Sequence, residues 1–435
     1  MTMRHIDSSG AAQRSRRETA AIDFTVIALF IAIILGLGNS IAILAPQLAL
    51  LFILTLFVIR DAINKNFNIN MNYGSLCLLF AILASMIVST FNSFSDASSA
   101  ALIQIKYAMT FLSTLYIVWI FHHCLSNNIL SGSAVIKAAI YAFAVYNVAK
   151  LITNALIAFE ILQITLLDSA IRQTLGTTFV RSSLIFGLIR INFPPDFGIP
   201  IILFCTLTAP KLNINISRFA QIAFTILLII SAIIAYSRYI WAATFIAVLF
   251  ATLIVGRRLF FAFSVITILM VGAAATNQAI VEAVEYRFFS QAVEQSDSIR
   301  ENQQFALTES LIEAPFGKGL ATYVPWLVRS KNSPYSYELQ ILATAMQFGL
   351  IGILPVLLFM ISLISTVRSK DVLVCTAVYM TYFCWVMTGF TNPSLIGRAA
   401  AMVFVVFICV ARLSPQLEWS SAKTRGVDAP VRGAG

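Results

Sequence analysis

The chain has 435 residues, of which 59% are hydrophobic and 11% charged, and it carries a net charge of +10. A soluble domain has about a quarter charged residues, so a soluble globular fold is excluded and a polytopic membrane protein is expected. The positive excess is spread over alternate loops and the two tails, which argues against nucleic acid as a partner and for a topology signal.

The opening 22 residues are polar and basic, with no early apolar core and no small-residue cleavage site, so they read as a tail rather than a signal peptide. A spanning helix needs about 20 mostly apolar residues, and about twelve runs qualify. They lie near 23–38, 41–60, 75–93, 106–122, 134–156, 196–209, 218–236, 239–256, 259–275, 339–366, 371–389 and 395–412. Arg14, Arg16, Arg17, Arg60, Lys211, Arg218, Arg257, Arg258, Arg368 and Arg412 all fall on one side of this zigzag, which predicts both termini in the cytoplasm. The expected class is all-α: a bundle of about twelve transmembrane helices over 23–412. The 413–435 tail is polar and rich in Gly and Ala and reads as disordered.

Two long outer loops remain, at 157–195 and 276–337. In the second, Ile280, Val281, Val284, Phe288, Ala292 and Val293 recur at helical spacing. Ser298-Ile299-Arg300-Glu301 reads as a capping box that opens a second helix through Phe305, Leu307, Leu311 and Ile312. Pro315 ends that helix, and Gly317-Lys318-Gly319 forms a turn.

The outer face has its own basic set: Arg172, Arg181, Arg190, Arg238, Arg287, Arg300, Lys318, Arg329, Lys331 and Arg398. Arginine suits phosphate because its planar fork makes bidentate, charge-assisted hydrogen bonds. Arg190 precedes Asn192-Phe193-Pro194-Pro195-Asp196 at the entry of one span, and Arg238 opens another within Tyr236-Ser237-Arg238-Tyr239. A guanidinium at the membrane edge needs a partner, which marks Arg238 as functional. Loop arginines more commonly pair with nearby acids, here Glu282, Glu285, Asp297 and Glu309. Glu338 lies where the second loop re-enters the membrane, and a partly desolvated carboxylate can accept a proton near neutral pH. It is a candidate base, a structural partner of an arginine, or both.

Other polar residues carry less. His122 and His123 point to different helix faces and suit an interfacial position. Lys150, inside the fifth span, is expected to snorkel to the outer surface. Cys77, Cys124, Cys205, Cys375, Cys384 and Cys409 have no metal-ligand spacing, and neither a Walker A nor a dinucleotide loop is present.

The order Tyr236-Ser237-Arg238, Arg300, Pro315-Phe316-Gly317-Lys318-Gly319, Tyr337-Glu338-Leu339-Gln340 and Gln347-Phe348-Gly349-Leu350-Ile351-Gly352 resembles the O-antigen ligase/polymerase family over about 220–370. The Arg190-to-Asp196 stretch resembles that family's preceding Arg/Asn/Pro element. The resemblance implies a metal-independent, cofactor-free GT-C-type glycosyltransferase at the periplasmic side of a bacterial inner membrane. Its donor would be a glycan on undecaprenyl diphosphate, and its companions a chain-length regulator and a flippase. Arg190, Arg238 and Arg300 would bind the diphosphate, with Arg181, Asp196 and Lys318 as further substrate contacts and Glu338 as base. Ligases of the family carry a histidine near the end of the long loop. This chain's three histidines are His5, His122 and His123, which favours the polymerase branch over a ligase acting on lipid A-core. A transporter or flippase of lipid-linked glycan also fits about twelve spans, although such proteins place polar residues at mid-membrane. A non-catalytic assembly subunit is the remaining alternative.

Overall fold

The computed structural model describes residues 8–36, 41–64, 73–93, 101–167, 169, 180–183, 189–289, 291–328 and 334–418. Arg172, Arg329, Lys331 and the tail beyond 418 lie outside the described residues. Fourteen helices are labelled here in chain order. The first five are α1 (Ser8–Leu35), α2 (Ile41–Asn64), α3 (Tyr73–Ser93), α4 (Ala101–Ser126) and α5 (Gly132–Ala158). They are followed by α6 (Ile199–Thr208), α7 (Arg218–Ala235), α8 (Arg238–Val255), α9 (Arg257–Thr276) and α10 (Gln278–Phe289). The last four are α11 (Gln291–Glu313), α12 (Gln340–Ile364), α13 (Val372–Met387) and α14 (Arg398–Leu413).

Eight of the described helical segments are long and apolar enough to cross a membrane, and three shorter apolar ones accompany them at Ala20–Leu35, Leu79–Phe91 and Pro194–Thr208. The protein is therefore a helical membrane bundle. Helix starts follow local chemistry. Ser131, Ser217 and Asp371 each accept a hydrogen bond from a first-turn backbone N–H of α5, α7 and α13, satisfying donors that a helix leaves unpaired. Among the described residues the departure from an all-helical fold is a small antiparallel hairpin in the first long loop. It pairs β1 (Val180–Ser183) with β2 (Ile189–Ile191), with Arg181 opposite Arg190.

The core is centred on α14. From Ala400 to Ala411 every residue is buried, as expected of a helix apolar on all sides. It packs on α4, α5 and α12, while α6 packs on α8 and α12 on α3. Gly198 shows how tight this centre is: a Cβ there would lie 2.7 Å from Phe143 and 2.8 Å from Val403.

The second long loop departs from expectation in its boundaries. α11 is already helical at Gln291 and runs unbroken through the Ser298–Glu301 stretch, which is helix interior rather than a cap. The capping signal is overridden because the helix already runs through Gln291–Asp297, so the N–H groups after Ser298 have helical partners and leave its side chain nothing to cap. The expected stop after Glu313 is present, and the turn that follows is docked rather than free. Lys318 and Gly319 donate their N–H groups to the carbonyls of Met346 and Gln347 (2.9 and 3.2 Å), and the Leu350 N–H donates to the Pro315 carbonyl (2.9 Å). These bonds occur where α12 breaks at Gly349, which has φ 78°. Gly317 (φ 96°) lies against it so closely that a Cβ on Gly349 would come within 2.3 Å of the Phe316 carbonyl carbon. The turn thus satisfies backbone groups that a broken helix would otherwise leave unpaired in an apolar surrounding.

Candidate functional site

The α7–α8 connection spans only Tyr236 and Ser237. Tyr236 closes α7 in the left-handed conformation (φ 47°), and its ring packs edge-on against Trp241 at 5.4 Å. The Trp241 indole N–H donates to the Ala232 carbonyl at 3.0 Å, locking the corner. Arg238 therefore projects from the first turn of α8. A cation is disfavoured at that end of a helix dipole, so it calls for a nearby carboxylate.

Asp297 of α11 supplies it. Its Oδ1 accepts from Arg238 Nη2 at 3.1 Å and from Arg300 Nη1, one helical turn on, at 2.8 Å. Arg300 Nε then donates to Glu338 Oε2 at 2.6 Å. Three segments far apart in sequence, the α8 start, α11 and the α12 entry, thus meet in one chain of alternating charge. The two arginine side chains keep 28% of their surface exposed, Asp297 keeps 53% and Glu338 12%. The network is most open to solvent at Asp297 and closes toward Glu338.

The segment carrying Glu338 is fixed residue by residue. Tyr337 is buried and its hydroxyl accepts the Val324 N–H at 2.6 Å; that burial pushes its phenol above the usual range, keeping it neutral. The Glu338 N–H donates to the buried Gln303 Oε1 at 3.0 Å, and Gln340 Oε1 accepts from the Leu395 N–H at 2.7 Å. With its neighbours so tied, Glu338 is held toward Arg300.

Arg190 reaches the same corner from the other side. It lies on β2, and its Nε donates to the carbonyl of Ala235 at 3.4 Å, the last residue of α7 and three before Arg238. A helix C-terminus welcomes a cation. Arg181 shares its hairpin register.

What holds Arg190 in place was not expected from the sequence. Lys150 does not snorkel to the surface: its side chain is 1% exposed and its Nζ donates to Asp196 Oδ1 at 2.9 Å and to the Ser231 carbonyl at 3.2 Å. Tyr146 donates to the same Asp196 oxygen at 3.0 Å, and the Phe193 N–H donates to the other at 2.9 Å. One turn further along α5, Asn154 Oδ1 accepts from the Ile189 N–H at 2.9 Å. Tyr146, Lys150 and Asn154 are four residues apart, so they form one polar stripe on α5 that grips the turn after β2, β2 itself and α7. Asp196 is thereby placed in the interior with both oxygens engaged, not at a substrate surface. The four-residue spacing of polar groups in an apolar span was the available signal.

Two further predicted residues stand apart. Lys318 pairs with Glu313 at 2.7 Å, away from the arginines, and Arg398 pairs with Gln47 of α2. Of the candidate set, Arg238, Arg300 and Glu338 are brought into one network with Arg190 beside it, and Asp297, expected to pair with a loop arginine, joins two. No protein-family model matches the chain, and no characterised protein matches it in sequence.

Proposed function

We propose that this protein is a membrane glycosyltransferase that joins lipid-diphosphate-linked oligosaccharide repeat units into a surface polysaccharide such as O-antigen, capsule or exopolysaccharide. In this reading about twelve spans cross a bacterial inner membrane with both termini in the cytoplasm, and the Arg238 end faces the periplasm. The observation that carries it is the convergence of Arg238 and Arg300 on one half-exposed carboxylate, with Glu338 accepting from the Arg300 guanidinium as well.

The chemistry follows from charge. Exposed ion pairs contribute about 0–1 kcal/mol, so a diphosphate can displace Asp297 from the two arginines at little cost. An acceptor hydroxyl attacks the anomeric carbon of the donor sugar, the bond from that carbon to the diphosphate oxygen breaks, and the lipid diphosphate leaves with the electron pair. Arg238, Arg300 and Arg190 stabilise the charge that grows on it, the effect that contributes most in such reactions. Glu338 takes the proton of the attacking hydroxyl and hands it to solvent. The segment 276–337 contains no histidine, which supports polymerisation over ligation to lipid A-core.

Reconstitution with a synthetic lipid-diphosphate repeat unit, without nucleotide or added metal, is expected to give longer glycans. A wild-type protein that binds the lipid and leaves it unchanged in length defeats the proposal. In cells, loss of the protein should strand single repeats on the outer leaflet; stranding them inside identifies a flippase instead.

A further inference from the structure

The second half of α11 walls a cleft that the arginine network does not enter. Its other wall is the segment from Lys318 to Trp326, Met346 of α12 also lines it, and it encloses about 260 Å³. The walls are anchored rather than loose. The Val324 N–H is bonded to Tyr337, and the Lys318 N–H to Met346.

The lining groups combine three chemistries. Trp326 leaves 66% of its surface exposed, a broad apolar face that the chain does not cover, with Tyr323 on the same wall. Glu313 and Lys318 are held side by side at 2.7 Å, an acceptor next to a donor. Glu309 and Ser310 add further polar atoms from α11. Two carboxylates against one ammonium leave the cleft net negative, so it disfavours phosphate, unlike the arginine corner. A pyranose ring presents the complement: an apolar C–H face that stacks on an indole, and hydroxyls that each donate and accept. A pocket with a few placed polar groups beside aromatic surface is the usual form of a small-ligand site.

We infer that this cleft is a subsite for an uncharged or amino-bearing sugar unit of the glycan, with Trp326 as its stacking platform and the Glu313–Lys318 pair reading its hydroxyls. The inference rests on the glycosyltransferase reading and deepens it. Glu309 follows Arg300 by nine residues of one helix, a rise of about 13 Å and about two and a half turns. An oligosaccharide whose diphosphate end lies at Arg300 therefore reaches the cleft by passing around α11 with its later sugars.

The test complements a deletion strain with the full-length protein carrying Trp326→Ala, Trp326→Phe or Glu313→Gln and compares the length distribution of its surface polysaccharide. Purified protein in phosphatidylglycerol nanodiscs is titrated in parallel with oligosaccharides released from that strain's own polymer, with tryptophan fluorescence as the readout. Trp326→Ala is expected to shorten the polymer and weaken oligosaccharide binding about three- to tenfold, whereas Trp326→Phe, retaining an aromatic face, yields longer products than the alanine variant. Glu313→Gln reports on the opposite wall should the Trp326 variants accumulate poorly. Wild-type length and affinity in both Trp326→Ala and Glu313→Gln overturn the inference. So does a Trp326 signal that responds to exchanging nanodisc lipid for detergent and not to oligosaccharide, which marks a membrane-interface anchor. If deletion itself leaves the polysaccharide unchanged, the glycosyltransferase reading has failed, whereas loss on deletion with full restoration by both variants sinks the cleft alone.

Discussion

Two ion-paired regions of this protein use the same chemistry in opposite settings. Lys150 and Asp196 are almost completely buried, with Tyr146, the Phe193 N–H and the Ser231 carbonyl as further hydrogen-bond partners. Arg238, Asp297, Arg300 and Glu338 lie at the loop end of the bundle, and one Asp297 oxygen serves two guanidiniums. A desolvated pair shut away from solvent does not exchange partners and serves as a strut. A half-exposed network with a shared acceptor gives up its partner to a stronger anion, which suits a binding site. Arg190 links the two, since the α5 stripe that includes Lys150 grips the strand from which it reaches the α7 terminus.

The contrast is broken most severely by Lys150→Met, which leaves Asp196 buried without its counter-charge. Such losses run to about 3–5 kcal/mol, and thermal unfolding in detergent is expected to show it, with Lys150→Met/Asp196→Asn recovering much of the deficit. A single variant as stable as the wild type removes the strut from the account. Next in size is Gly349→Ala, where φ is 78° and the added Cβ meets the Phe316 carbonyl carbon at 2.3 Å. Left-handed backbone alone costs a non-glycine residue about 1–2 kcal/mol, and the clash adds to it. Lower yield of folded protein on size exclusion is the expected result, and an unaffected elution profile contradicts the docked turn.

At the exposed end the balance reverses. Arg238→Ala should change stability by less than about 1 kcal/mol yet lower the rate of glycan joining about 10²–10³-fold, and Arg238→Lys should restore little because the fork is lost. Equal loss of stability and rate means that Arg238 is structural too. The smallest effect is expected from Asp297→Asn. Freeing both arginines from a competing carboxylate should tighten inorganic pyrophosphate binding a few-fold in a calorimetric titration, and weaker binding makes Asp297 a positioning residue instead.

The elements were legible where local pattern and packing agree. The apolar runs became helices, and Pro315 and the Gly317-Lys318-Gly319 turn fell where glycine and proline placed them. The start of α11 differs from the expectation because Ser298 and Glu301 have capping chemistry but sit inside a helix that is already running at Gln291. Lys150 departs from expectation for a related reason: a long cationic side chain near a span end ordinarily reaches for water, but a buried acid 46 residues away and the Ser231 carbonyl hold it inward. At the site, the sequence marked Arg190, Arg238, Arg300 and Glu338 as candidates by residue type and location. It did not reveal that Asp297 joins two of them, nor that Lys318 faces Glu313 instead.

By itself, then, the sequence determined the solvent this protein folds in, since hydropathy and charge placement act residue by residue and add along the chain. Which charges meet was decided only in three dimensions. An ion pair depends on distances of about 3 Å between groups that helix packing brings together, and no local pattern encodes the packing of α5 on α7 or of α11 beside α8.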